Sequence, residues 1–115
     1  MADATHALAS LAVEFWKLAA NFERQVEHGD DARKAGGHAQ LRYSRRRLET
    51  LLEAEGMRVV FYDGEQWSAV LPASAVNAED VADLDNLTVE TTLEPTIVGP
   101  DGVIIPGKVI LKGEL

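Results

Sequence analysis

Six apolar residues near the start of this chain, Leu8, Leu11, Phe15, Leu18, Phe22 and Val26, are spaced 3, 4, 3, 4 and 4 residues apart. That is the a/d seam of helices that pack along their length. The seam stops at Gly29-Asp30-Asp31, and beyond Gly56 the apolar pattern changes to short runs separated by Gly, Pro and Asp. A chain whose period shifts from about 3.5 to about 2 cannot continue one kind of layer throughout. The expected class is therefore α+β: a helical hairpin over residues 1–56, acting as the dimerisation region, then a small all-β domain over 57–115.

Ala12, Trp16 and Ala19 widen the first stripe, so the first helix needs more than one neighbour. Asp3 or Thr5 is placed to cap its start, and Gly29 to end it near His28. Gly36-Gly37 costs about 1–2 kcal/mol in a helix interior. A loop or weak turn is therefore expected there, with the second helix running from about His38 to Glu55. Its stripe is Leu41, Ser44 or Arg45, Leu48, Leu51 and Leu52, and Gly56 sits where a left-handed cap belongs. This stripe covers only part of the first helix. Two hairpins pairing into a four-helix bundle would cover the rest, which predicts a homodimer with Leu8, Leu11, Phe15, Leu18, Phe22, Leu48 and Leu52 at its interface.

In the second half, Met57–Tyr62 reads as a strand ending at the Asp63-Gly64 turn, with Gln66–Leu71 as its partner and Pro72 as a stop. Asn77–Asn86 reads as an acidic loop or a single helical turn that Asn77 could cap. Leu87–Leu93 alternates as a half-exposed strand does, Pro95 breaks it, and Thr96–Val98 continues it. Gly99-Pro100-Asp101-Gly102 is a strong turn signal, followed by Val103–Ile105 and Lys108–Leu111 with a bulge or bend at Pro106-Gly107.

Charge divides along the same line. The net of −8 combines about −1 from residues 1–56 with about −7 from 57–115. So acidic a chain is not expected to grip nucleic acid non-specifically. Arg42-Tyr43-Ser44-Arg45-Arg46-Arg47 is the one basic cluster. It reads either as a phosphate contact or as a solvated face whose arginines pair with Glu49 and Glu53, and the second is the more ordinary outcome.

Little points to catalysis. The chain has no cysteine, which removes thiol chemistry and Cys-ligated zinc and fits a reducing, cytoplasmic setting. His6, His28 and His38 lack metal-ligand spacing, and Asp80, Asp83 and Asp85 lack the glycine and terminal glutamate of a calcium loop. No phosphate-binding loop or nucleophile motif is found, so neither a cofactor nor a metal is expected. No apolar run is long enough for a membrane span, and MADATHALAS lacks the build of a signal peptide.

Two segments, RLETLLEAEGMRVVFYDG from Arg47 to Gly64 and ETTLEPTIVGPDGVIIPGKVIL over 90–111, resemble the C-terminal part of the GrpE family. The shared features are a Leu-rich helix end at Gly56, a short β domain, and a closing hairpin with a Pro-small-x-Val run, here Pro106-Gly107-Lys108-Val109. The family are nucleotide-exchange factors of DnaK-type chaperones. The resemblance implies a dimer that presents its β domain to the chaperone, and it points to Arg58, Glu94, Pro95, Ile105, Pro106 and Lys108 as exposed contact residues. The chain departs from the family in three places. About 25 residues precede Gly29 where the family carries a long paired helix, Pro72–Val76 replaces a His-Glu-Ala motif, and Ile105 replaces an Arg. A dimeric protein-binding adaptor without exchange activity is the alternative expectation.

Overall fold

A computed structural model of the chain describes residues 2–115, with side chains from Ala4 onward. It separates into two compact units, one ending at Arg58 and the other spanning Val59–Leu115. The fold is α+β: a helical hairpin followed by two small sheets of short strands.

The first unit holds α1 (Ala2–Val26) and α2 (Asp31–Ala54). Thr5 lies inside α1 rather than at its start, and the Asp3 side chain is outside the described residues. α1 ends just before Gly29 as expected, the Gly29 N–H donating to the Val26 carbonyl at 3.0 Å, and Asp30 in the same turn caps α2, its Oδ1 accepting from the Arg33 N–H at 2.8 Å. The other end closes as expected, with Gly56 at φ 73°. The Met57 N–H donates to the Leu52 carbonyl and the Gly56 N–H to Glu53, which is a Schellman cap. Leu52 and Met57, whose side chains such a cap brings together, are both buried.

Contrary to the expectation of a break, α2 runs unbroken through Gly36-Gly37. The reason is packing. A Cβ on Gly37 would lie 2.5 Å and 2.8 Å from the two methyls of Val26, so only glycine lets α2 approach α1 this closely. The contact offsets the intrinsic helix penalty. Gly36 has no such partner, with nothing within 4 Å of an added Cβ. Gly36→Ala should therefore raise stability by about 0.5–1 kcal/mol, whereas Gly37→Ala should lower it. Thermal melts of the two variants check the pair, and equal shifts would contradict this packing.

The second unit contains most of β1 (Arg58–Val60), together with β2 (Ala73–Ala75), β3 (Asp85–Glu94), β4 (Thr96–Gly99), β5 (Gly102–Ile105) and β6 (Gly107–Glu114). Strand order is β1-β4-β5 in one sheet and β2-β6-β3 in the other. Residues 85–114 form one long antiparallel hairpin that bends from one sheet into the other. β3 pairs with β6 as far as Glu94 opposite Lys108, and β4 pairs with β5 from Ile97 opposite Ile105 to the Pro100-Asp101 turn. Pro95 and Pro106 occupy the two corners, where a missing N–H costs no ladder bond. Gly107 faces Pro95 across the bend: a Cβ there would meet the Glu94 carbonyl at 2.7 Å and Thr96 Oγ1 at 2.8 Å.

Two sequence expectations fail in this unit. Gln66–Leu71 is not a strand pairing with Met57–Tyr62. Instead the segment after the Asp63-Gly64 turn lies along β3, with Gly64 N–H to Val89 O, Val89 N–H to Glu65 O and Trp67 N–H to Leu87 O. β3 needed a neighbour on its free side, and the irregular segment satisfies those groups without forming a regular strand. The residues after Pro72, read as a stop, form β2, parallel to β6. Asn77 caps no helix. Its Nδ2 donates to the Leu111 carbonyl at 2.8 Å and its Oδ1 accepts from the Leu111 N–H at 2.9 Å, extending the β2–β6 pairing by one side-chain step.

The core of this unit is Tyr62, Val81, Val89, Val109 and Leu111, with Trp67, Leu71 and Leu87 packed around it. A buried relay crosses it. Tyr62 OH donates to Thr96 Oγ1 at 2.8 Å, and Thr96 Oγ1 donates to the Pro72 carbonyl at 2.8 Å. Thr96→Val keeps the volume but strips the Tyr62 hydroxyl of its partner, for an expected cost of about 1–3 kcal/mol. Denaturant titration checks this, and an unchanged midpoint would show that the relay carries no stability.

Candidate interaction surfaces

The helical seam is only half covered within the chain. Leu52 is buried and Leu8, Phe15 and Leu48 are half-buried, but Leu11 is 66% exposed, Leu18 68% and Phe22 42%. Of the residues assigned to a dimer interface, Leu52 is thus already covered by its own chain and is corrected to a core position. Beside the seam, Phe15, Leu18, Ala19, Phe22 and Leu41 line an apolar groove of about 230 Å³ between α1 and α2. Burying such residues gains about 1.5–3 kcal/mol each relative to exposure, so a lengthwise exposed row of them is a candidate contact surface.

The β-unit residues assigned to partner binding gather at the hairpin bend. Glu94 is the register partner of Lys108, and its Oε1 lies 3.9 Å from Lys108 Nζ. Pro106 and Lys108 are exposed and Ile105 is half-buried opposite Ile97. Pro95 is fully buried at the corner, so it shapes the bend and offers no contact, which corrects its reading as an exposed residue. Arg58 is exposed but falls in the helical unit, at the first position of β1.

No family model, curated protein or solved structure matches this chain.

Among the described residues no three His, Cys, Asp or Glu side chains converge. His6 Nδ1 is 3.4 Å from Ser10 Oγ one turn along the same helix, and His38 Nε2 on α2 lies 2.8 Å from Glu27 Oε1 in the turn between the helices. A wider hollow of about 570 Å³ lies beside the interhelix turn, lined by Phe22, Val26, His28, Arg33 and Gln40. It contains no paired acid and base.

The basic cluster divides in two. Arg45 points inward: its guanidinium lies 5.1 Å from the Trp16 ring centroid and its Nη2 donates to Glu23 Oε1 at 3.3 Å. It joins α2 to α1 by a cation–π contact and an ion pair, a role that sequence reasoning missed because the partners are 22 and 29 residues away. Arg42, Arg46 and Arg47 point outward and are exposed. The expected pairs of Arg45 and Arg46 with Glu49 do not form.

Proposed function

We propose that this chain is a GrpE-like co-chaperone: a homodimer joined through its helical seam that docks its β unit on a DnaK-type chaperone and promotes ADP release. One observation carries the reading. The Pro106-Gly107-Lys108-Val109 run lies at the corner where a long hairpin passes between two small sheets, with Pro106 and Lys108 exposed. A β unit of two small sheets following a helical hairpin is the build that the family resemblance implies. The exposed Leu11, Leu18 and Phe22 supply the dimer contact the same reading requires.

In this mechanism the protein supplies binding energy and no covalent chemistry. Docking favours the open form of the chaperone's nucleotide cleft and so lowers its affinity for ADP. Linkage then requires ADP to weaken docking by the same factor. Binding of this protein to the chaperone, measured by calorimetry with and without saturating ADP, tests the coupling. The expected result is tighter binding to the nucleotide-free form, and equal affinities would rule out exchange activity. The work would take place in the cytoplasm.

A second reading, a dimeric adaptor without exchange activity, is favoured by Ile105 and Pro72–Val76. Half-buried Ile105 offers no charge where the family carries an Arg, and Ala73–Ala75 is committed to β2 where the family carries its His-Glu-Ala motif. Equal binding with and without ADP would be its signature.

A further inference from the structure

The outward half of the basic cluster faces solvent along α2. Arg42 and Arg46 lie four residues apart on α2, and Tyr43 and Arg47 form the adjoining row. All four are exposed, Tyr43 by 68%, and the buried Leu41 and Leu52 lie on the other side of the helix. None of the three guanidinium groups has an ion-pair or hydrogen-bond partner among the described residues. Arg42 and Arg46 are moreover like charges at a spacing that destabilises a helix.

We propose that this arginine face is a docking surface for an extended acidic segment of a partner protein. The spacing favours that occupant. Arg42 and Arg46 are one turn apart, about 6 Å along the axis. Side chains on one face of an extended peptide recur every two residues, about 6.6 Å. A segment with a carboxylate at every second position can therefore meet the two arginines in step, each as a forked guanidinium–carboxylate pair. Arg47 and Tyr43 flank the row and offer a third cation and an aromatic face. The charge of the whole molecule separates this occupant from nucleic acid. No Lys, Arg or His occurs from Val59 to Gly107, and a chain of net charge −8 repels a polyanion at long range. A short acidic segment carries far less charge and feels chiefly the local arginines. The inference stands apart from the co-chaperone reading, since it uses a different face and a different partner chemistry.

The test is fluorescence anisotropy with the full chain and a fluorescein-labelled peptide alternating Glu and Ser, at low and at moderate salt. Controls are the same peptide with Gln for Glu and a single-stranded RNA of similar length. The proposal expects saturable binding of the Glu peptide, no binding of the Gln peptide, and weaker binding with added salt. Arg42→Gln/Arg46→Gln should raise the Kd at least about tenfold, without lowering the thermal midpoint, because it removes the like-charge pair and keeps a good helix former at both positions. Failure of the Glu peptide to bind, unchanged binding by the double variant, or tighter binding of RNA than of the peptide would each overturn it.

Discussion

Gly107→Ala should destabilise the protein by about 3 kcal/mol, at the upper end of what overpacking costs. The added methyl would meet the Glu94 carbonyl at 2.7 Å, Thr96 Oγ1 at 2.8 Å and the Thr96 N–H nitrogen at 3.2 Å. Two of these are backbone, and the third is fixed by its bonds to Tyr62 and Pro72. Nothing at the bend is a flexible side-chain tip that can swing away. Gly107 is also not among the residues with positive φ, so the cost comes from close approach alone. Gly64→Ala is the matching control. It sits at φ 83° with nothing within 4 Å of an added Cβ, and it should lose only the left-handed penalty of about 1–2 kcal/mol. For a domain with total stability of about 5–15 kcal/mol, Gly107→Ala should lower the denaturation midpoint clearly more than Gly64→Ala. The reverse order would mean that the hairpin does not pass between its sheets at this corner.

Leu11→Asp/Leu18→Asp should turn the proposed dimer into a folded monomer. Both residues are about two-thirds exposed in the single chain, at 66% and 68%, so replacing them leaves the hairpin's own packing intact. In a two-fold bundle each change appears twice, and each carboxylate would be buried against apolar neighbours. Even about 2 kcal/mol per seam gives a loss of at least about a thousandfold in association. Phe15→Asp and Phe22→Asp disturb the same seam but replace side chains that the single chain covers more fully than Leu11 and Leu18, so they mix dissociation with unfolding. Sedimentation velocity with circular dichroism separates the two effects. A double variant that sediments as the wild type does, with full helix content, would remove the seam from the interface.

How far the sequence could be read depended on the range of the interactions. The two helices, the Gly56 cap, the Gly99–Gly102 turn and the change from helix to strand after Gly56 rest on local periodicity and local backbone preference, and all appear where expected. What was misread depends on distant partners. The continuity of α2 through Gly37 is set by Val26, eleven positions earlier on the facing helix. Asn77 is held by Leu111, and the segment after Gly64 is claimed by β3 rather than by the strand before the turn. At the candidate sites, the exposed seam and the bend at Pro106 were legible as patterns of residue type. The burial of Pro95 and the turning of Arg45 onto Trp16 were not, because a corner proline and an arginine in a basic run look alike whether they face solvent or core.

The central proposal is tested most directly by the release of a fluorescent ADP analogue from a DnaK-type chaperone, followed by stopped flow with and without this protein. Release is expected to be several-fold faster, to saturate with concentration, and to lose the acceleration in Lys108→Glu, since the Lys108 side chain is exposed at the bend. An unchanged release rate at concentrations where the two proteins bind would contradict exchange activity and leave the adaptor reading in its place.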